Sequence, residues 1–283
     1  MPFTLQDADY VLPLVRVSVA LTLFVWVSWG PFPDFYPQQE GWLYAPSGLA
    51  AAIPPVGHVG FYLLKLTVLS GCLGMLVRPV ARLSTVVTAG AFGWLNGYVS
   101  GFGDLWNYNT HLNIFLICLS LCPTAGARNG SNFTREAASA LLFFMRFEVA
   151  IVYLQAGLAK LVHGGLLWPT RTPYVHLILQ DRLGATWLSN MPEVVTLLGY
   201  LVIVSELALP ILLLAKPTRW FGVTLAVLLH VSFYLGLGIS FWHLWVLFPA
   251  LFLIDRKQKS LRPENSSERT EATTKAFSPR VRL

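Results

Sequence analysis

Apolar residues in this chain come in long blocks rather than at alternating positions. Runs of about twenty residues with very few charges recur from residue 11 to residue 254. A stretch of that length matches the hydrocarbon thickness of a bilayer when helical. Eight such segments are predicted, at 11–30, 58–77, 83–102, 107–123, 138–161, 193–215, 219–238 and 240–254. The last two are joined by the short Gly-rich turn "GLGIS", so they read either as two spans or as one broken hairpin. The expected fold is an all-α polytopic membrane protein of about eight transmembrane helices, with long outer loops and no soluble catalytic domain. Three regions follow: a short N-terminal segment 1–10, a transmembrane domain 11–254 and a tail 255–283. No cleavable leader is expected, because the first apolar run lacks a small-residue cleavage site.

Composition agrees. Charged residues make up 12% of the 283, against about 25% in a soluble domain, and mean hydropathy is +0.58. The net charge of +6 is concentrated at one end, since 255–283 holds eight Lys/Arg and four Asp/Glu. That tail has no apolar periodicity and reads as disordered and solvated. Its position after a span suits an anionic lipid leaflet better than nucleic acid. The three cysteines, Cys72, Cys118 and Cys122, form no CxxC pair and read as small apolar packing residues.

Loop charge orients the segments. Arg78 and Arg82, Arg128 and Arg135, Lys216 and Arg219, and the basic tail fall on one side of the eight-span count. Asp34, Glu40, Asp104 and Asp181 fall on the other, with Arg171 and Arg182. The positive-inside rule then places both termini in the cytoplasm. Trp26, Trp29, Trp42, Trp106, Trp168, Trp187, Trp242 and Trp245 map to the outer half. A membrane-interface belt accounts for some of them, and an outward-facing aromatic cavity for the excess. The outer segment 164–192 holds a half-apolar stretch around residues 174–183, suited to lying in the interface or capping a cavity. Gly93, Gly97 and Gly101 read as a close helix-packing face.

Ionisable side chains inside hydrocarbon cost about 2.5–3.5 kcal/mol each, so they need partners or functions. Here they are Arg16, Lys65, Arg146, Glu148, Lys160, Glu206 and His230. Arg146, Tyr153 and Lys160 are spaced seven and seven, which puts them on one helix face, with Glu148 and Gln155 alongside. A structural polar seam is one reading, with Arg146 paired to an acid and Lys160 snorkelling to the interface. The other is chemical. A lysine desolvated in an apolar pocket loses its proton more easily and can act as a neutral base, while His and Tyr neighbours hold an oxyanion. All six histidines map to the outer half, but no HxxxH or HExxH spacing occurs, so no metal site is expected. Glu206 and His230 are candidates to face each other across adjacent spans. An aromatic cavity within the bilayer would accept a lipophilic ring such as a quinol.

"WNYNTHLNIFLICLSLCP" (106–123), "RFEVAIVYLQAGLAKL" (146–161), "YLVIVSELALPILL" (200–213) and "LLHVSFYLGLGISFWHLWVLFPALFLID" (228–255) together resemble the HTTM (horizontally transferred transmembrane) superfamily. Vitamin K-dependent gamma-carboxylase belongs to that superfamily. The resemblance covers roughly 10–255 and is most specific at "IVYLQAGLAKL". It implies that Lys160 is the base that deprotonates a reduced, vitamin K-like quinone. His111 and His230 would join it as catalytic residues, and Tyr153, Arg146, Trp106 and Glu206 would surround the cofactor. Two departures stand out. The carboxylase has two adjacent lysines where this chain has Ala159–Lys160, and it has a large lumenal substrate-binding region with no counterpart here. SdpB-type members of the superfamily, which act in maturing an exported peptide, are similar in being little more than the membrane domain.

Two functions are therefore expected as alternatives. One is a quinol- and oxygen-linked enzyme modifying a peptide or lipophilic substrate at the outer face. The other is a non-catalytic maturation or export partner for a secreted peptide or another enzyme. Transport is disfavoured, since no internal repeat or matched pair of broken helices is evident. The lipid bilayer is the first expected partner. The expected location is a bacterial cell membrane, or the endoplasmic reticulum membrane in a eukaryote.

Overall fold

A computed structural model of the protein describes residues 5–29, 56–101, 109–122, 132–179, 185–237 and 241–254, with positions 45, 51, 52 and 54. These residues form α1 (Leu5–Trp29), α2 (His58–Met75), α3 (Ala81–Ser100), α4 (Thr110–Leu121), α5 (Asn132–Gly164), α6 (Trp168–Leu179), α7 (Pro192–Leu214), α8 (Arg219–Leu237) and the short α9 (Trp242–Trp245). A π-helical turn, Pro249–Leu253, follows α9. Among the described residues there is no strand.

A helix lies over each of the eight predicted segments. Five described stretches are long and apolar enough to cross a membrane: Val11–Trp29, His58–Met75, Glu136–Pro173, Pro192–Leu214 and Lys216–Gly236. The apolar helices Thr110–Leu121 and Trp242–Leu253 are shorter. α3 has the length, at 20 residues, but carries Arg82, Ser84, Thr85, Thr88, Asn96 and Ser100. Its polar side chains are partly self-satisfied: Thr85 donates to the carbonyl of Ala81 and Thr88 to that of Ser84, each at 2.7 Å.

The outer surface of the bundle is apolar. Leu66 on α2, Val204 and Ile211 on α7 and Phe221 on α8 are all well exposed. A water-facing helix would place polar residues there, whereas hydrocarbon accepts these. Inside, Leu23, Phe61, Phe92, Phe115, Phe248 and Phe252 are fully buried and join α1, α2, α3, α4 and the π-helical turn into one core. All three cysteines are thiols outside any disulfide and are buried in it.

Close helix approach falls elsewhere than at the first of the three glycines expected to provide it. Gly71 and Gly74 of α2 lie so near Thr88 and Ser84 of α3 that a Cβ on either would collide. At Gly93 the nearest foreign atom to an added Cβ would be Asn113 Oδ1 at 3.8 Å, an ordinary contact. Two further glycines seat α7. A Cβ on Gly157 of α5 would come within 3.0 Å of Leu207 and 3.2 Å of Glu206 Cβ. One on Gly199 would come within 2.8 Å of Pro169 in α6.

α5 is 33 residues long, about 50 Å at 1.5 Å per residue, so it outreaches a hydrocarbon core of about 30 Å. Beyond it the chain turns at Gly165, whose φ of 57° suits a residue with no Cβ. Beyond the turn α6 packs against α7, where Pro169 lies beside Gly199. Tyr200 of α7 fastens it by donating to the carbonyl of Leu166 at 2.9 Å.

Candidate active site

A cavity of about 780 Å³ opens among α4, α5, α7, α8 and the start of α9. One face of α5 forms its long wall. Glu148, Ile151, Val152, Gln155, Ala156 and Ala159 recur there at helical spacing, flanked by Tyr153 and Lys160. Phe233, Phe241 and Leu244 face them, and Trp168 of α6 covers the Lys160 end.

Lys160 and Glu206 make a two-pronged ion pair at that end. The lysine Nζ lies 2.7 Å from Oε1 and 2.7 Å from Oε2 of Glu206. Glu206, in the middle third of α7, has only 4% of its side chain exposed, against 19% for Lys160. The absence of a side chain at Gly157 is what lets α7 come close enough for the pair to form. Lys160 Nζ also sits 5.3 Å from the centre of the Trp168 ring, a cation–π contact that shields the pair. Short, charge-assisted bonds of this kind are strong where water is scarce.

A second polar pair spans the cavity from α5 to α8: the Tyr153 hydroxyl and His230 Nε2 lie 2.7 Å apart. His230 is flanked by Phe233 and Phe241, with ring centres 6.2 and 5.3 Å away. On the α4 side His111 stacks on His243 at 5.4 Å, and His243 stacks on Trp26 at 4.3 Å. Three hydrogen-bonding atoms near the cavity are buried without a partner among the described residues: His111 Nε2, His230 Nδ1 and Glu148 Oε2.

Of the residues expected at a site, Lys160, His111, His230, Tyr153 and Glu206 all line this one cavity. Arg146 does not: it is completely buried in the core and its Nε donates to the carbonyl of Leu251 at 2.5 Å. Trp106 lies outside the described residues. The expected facing of Glu206 and His230 is replaced by a different pairing. Glu206 takes Lys160 because Gly157 brings α7 against α5, and His230 takes Tyr153.

Three neighbours were not anticipated as site residues. The sequence leaves Trp168 open between a membrane-interface belt and an aromatic cavity wall, places His243 only in a general histidine set, and marks no role for Gly157. The "AGLAK" spacing, with glycine three residues before lysine, is the available signal for Gly157. His163 is exposed near the end of α5, and His58 stacks on Tyr62 of α2. Among the described residues no group of three or more His, Cys, Asp or Glu is placed to hold a metal.

The arrangement suits a flat, lipophilic ring bearing hydroxyl or carbonyl oxygens. The volume lies within the range of small-molecule sites, and the walls are apolar with a few convergent polar groups. The imidazoles of His111 and His230 are among those polar groups, though His111 Nε2 and His230 Nδ1 themselves are closed off from the cavity. A reduced quinone therefore fits the residues present. No protein-family model, curated protein or solved structure matches the chain.

Proposed function

We propose that the protein is a multi-pass membrane enzyme of the HTTM kind that binds a reduced quinone in this cavity and removes a proton from its ring hydroxyl. In this proposal the bundle crosses the membrane eight times, both termini are cytoplasmic, and the cavity opens to the outer face. The observation that carries the proposal is the Lys160–Glu206 pair, with both contacts at 2.7 Å, on the wall of an apolar cavity that also holds Tyr153, His230 and His111.

The pair resolves a difficulty in using a lysine as a base. An ammonium has no lone pair to offer. Across 2.7 Å, Glu206 can take one of its protons, leaving a neutral amine beside a neutral carboxylic acid. Burial of the carboxyl favours that exchange, because it removes two charges from a low-dielectric site. Lys160 then accepts the hydroxyl proton and, as an ammonium again, holds the oxygen anion it has made. His111 and His230 stand among the polar groups beside the ring, and Tyr153 fixes the His230 ring. Trp168 and the phenylalanines exclude water, which would otherwise weaken each of these contacts. The reduced quinone would supply the oxygen-dependent chemistry that the resemblance implies. A peptide or lipophilic molecule at the outer face would be its target.

The test is binding of reduced naphthoquinone and benzoquinone to the purified full chain, with oxygen-dependent epoxide formation followed in the same samples. Wild type is compared with Lys160→Ala and His111→Ala. Saturable binding with epoxide formation that depends on Lys160 is the expected result. If neither quinol binds, the enzyme proposal fails and a non-catalytic maturation partner for a secreted peptide becomes the better account. Single-cysteine labelling from outside intact cells checks the topology: the tail 255–283 should be protected.

A further inference from the structure

Glu148 is left unused by the chemistry above, yet it lines the same cavity. It stands twelve residues before Lys160 on α5, about 18 Å along the helix axis. The α5 wall between them is apolar apart from Gln155 and Tyr153, and the other walls carry Ile114, Phe233, Phe241 and Leu244 together with Thr110, His111 and His230. The site is thus elongated, with the Lys160–Glu206 pair at one end, a carboxyl group at the other, and a mostly apolar middle where the Tyr153–His230 pair joins α5 to α8. Spread over about 18 Å, a volume of about 780 Å³ averages to a cross-section of about 40 Å², enough for a flat ring and roomier than one extended hydrocarbon chain needs.

The far end is not a simple continuation of the hydrocarbon. Oε2 of Glu148 is buried and has no hydrogen-bond partner among the described residues. Oε2 is sealed off from the cavity, so a carboxyl held in that way is costly beside a plain alkyl tail and is relieved by a donor at its other oxygen, Oε1. Arg146 is close in sequence, but its guanidinium is directed into the core, where Nε bonds Leu251.

We infer that the natural ligand is elongated and polar at both ends: a ring hydroxyl at Lys160, an apolar chain along α5, and a hydrogen-bond donor, hydroxyl or amine, at Glu148. This rests on the cavity being the ligand site proposed above. It adds that the ligand's tail ends in a polar group.

A matched ligand series tests it on the intact protein in nanodiscs. Each member has the same reduced naphthoquinone head and a chain of about eight methylenes, sized to the distance set by the helix rise. The chain ends in methyl, hydroxyl or amine. Wild type is expected to bind the hydroxyl- or amine-ended compound at least about tenfold more tightly than the methyl-ended one. In Glu148→Leu that preference should vanish or reverse, while a short-chain head group still binds with Lys160-dependent affinity. Glu148→Gln should keep the hydroxyl preference and lose any amine preference, which separates hydrogen bonding from charge. Equal affinity for all three ends in wild type, or a preference unchanged in Glu148→Leu, would overturn the inference while leaving the head-group site intact. Failure of the short head group itself to bind would remove the proposed function and this inference together.

Discussion

α5 carries two deeply placed cations, Arg146 and Lys160, whose fates differ. Arg146 is fully buried and gives Nε to the carbonyl of Leu251. That carbonyl belongs to a π-helical turn, where the usual backbone bonding pattern is shifted. The guanidinium therefore ties α5 to the last apolar segment, and its surroundings leave no space for a ligand. Lys160 is one-fifth exposed, sits on a cavity wall and pairs with the carboxylate of Glu206 at 2.7 Å. Spacing and residue type are alike for the two. What differs is the partner and the open space beside it, so burial of a charge alone does not mark chemistry.

This contrast can be broken by substitution, and the largest effect should come from Arg146. Arg146→Ala leaves a buried carbonyl without its donor and opens a hole in the core, together about 3 kcal/mol or more. The expected outcome is a steep loss of folded protein in a detergent thermal-unfolding assay, with normal quinol affinity in whatever remains folded. Lys160→Ala should cost less, about 2 kcal/mol, because the stranded Glu206 can take up a proton. Adding Glu206→Leu to it should recover most of that loss, which the same melting assay would read as a partial return of the transition temperature.

Gly157→Ala comes next. The new methyl must push Leu207 and Glu206 by a few tenths of an ångström, which costs about 1–2 kcal/mol. It should also weaken ligand binding, since the ion pair is stretched from the α7 side. A Gly157→Ala protein with native melting and native affinity would show that the close approach is not needed. Tyr153→Phe should be the mildest, about 1 kcal/mol for one neutral hydrogen bond. Its clearer signature is a His230 ring released from its partner, visible as a change in the imidazole nitrogen resonances of labelled protein.

Much of this architecture can be read from the chain before any coordinates. Helices form where apolar blocks run without a break, as at α1, α2, α7 and α8. Lys160 is conspicuous because a cation inside an apolar motif demands a reason. Long-range choices are harder to read. Nothing local says that Glu206 will meet Lys160 rather than His230, because that depends on which faces of α5 and α7 touch. A missing side chain at Gly157 settles it, and a glycine looks the same in sequence whether it packs or merely permits. Arg146 and Lys160 are likewise indistinguishable by spacing, since the carbonyl that Arg146 serves lies 105 residues away. The π-helical turn and the placement of Trp168 over Lys160 follow Pro249 and Gly165 in packed surroundings, and neither carries a periodic signal.

The central claim is that Lys160 and Glu206 serve a ligand rather than the fold. The most direct measurement is the affinity of reduced naphthoquinone for the Lys160→Met, Glu206→Leu double variant, alongside its melting temperature. The pair is there replaced by apolar side chains of similar volume, which should leave stability near wild type or above it. The account predicts a native-like melt with affinity reduced at least about tenfold, or 1.4 kcal/mol. A native-like melt with unchanged affinity would contradict it, and would make the pair a structural bridge between α5 and α7.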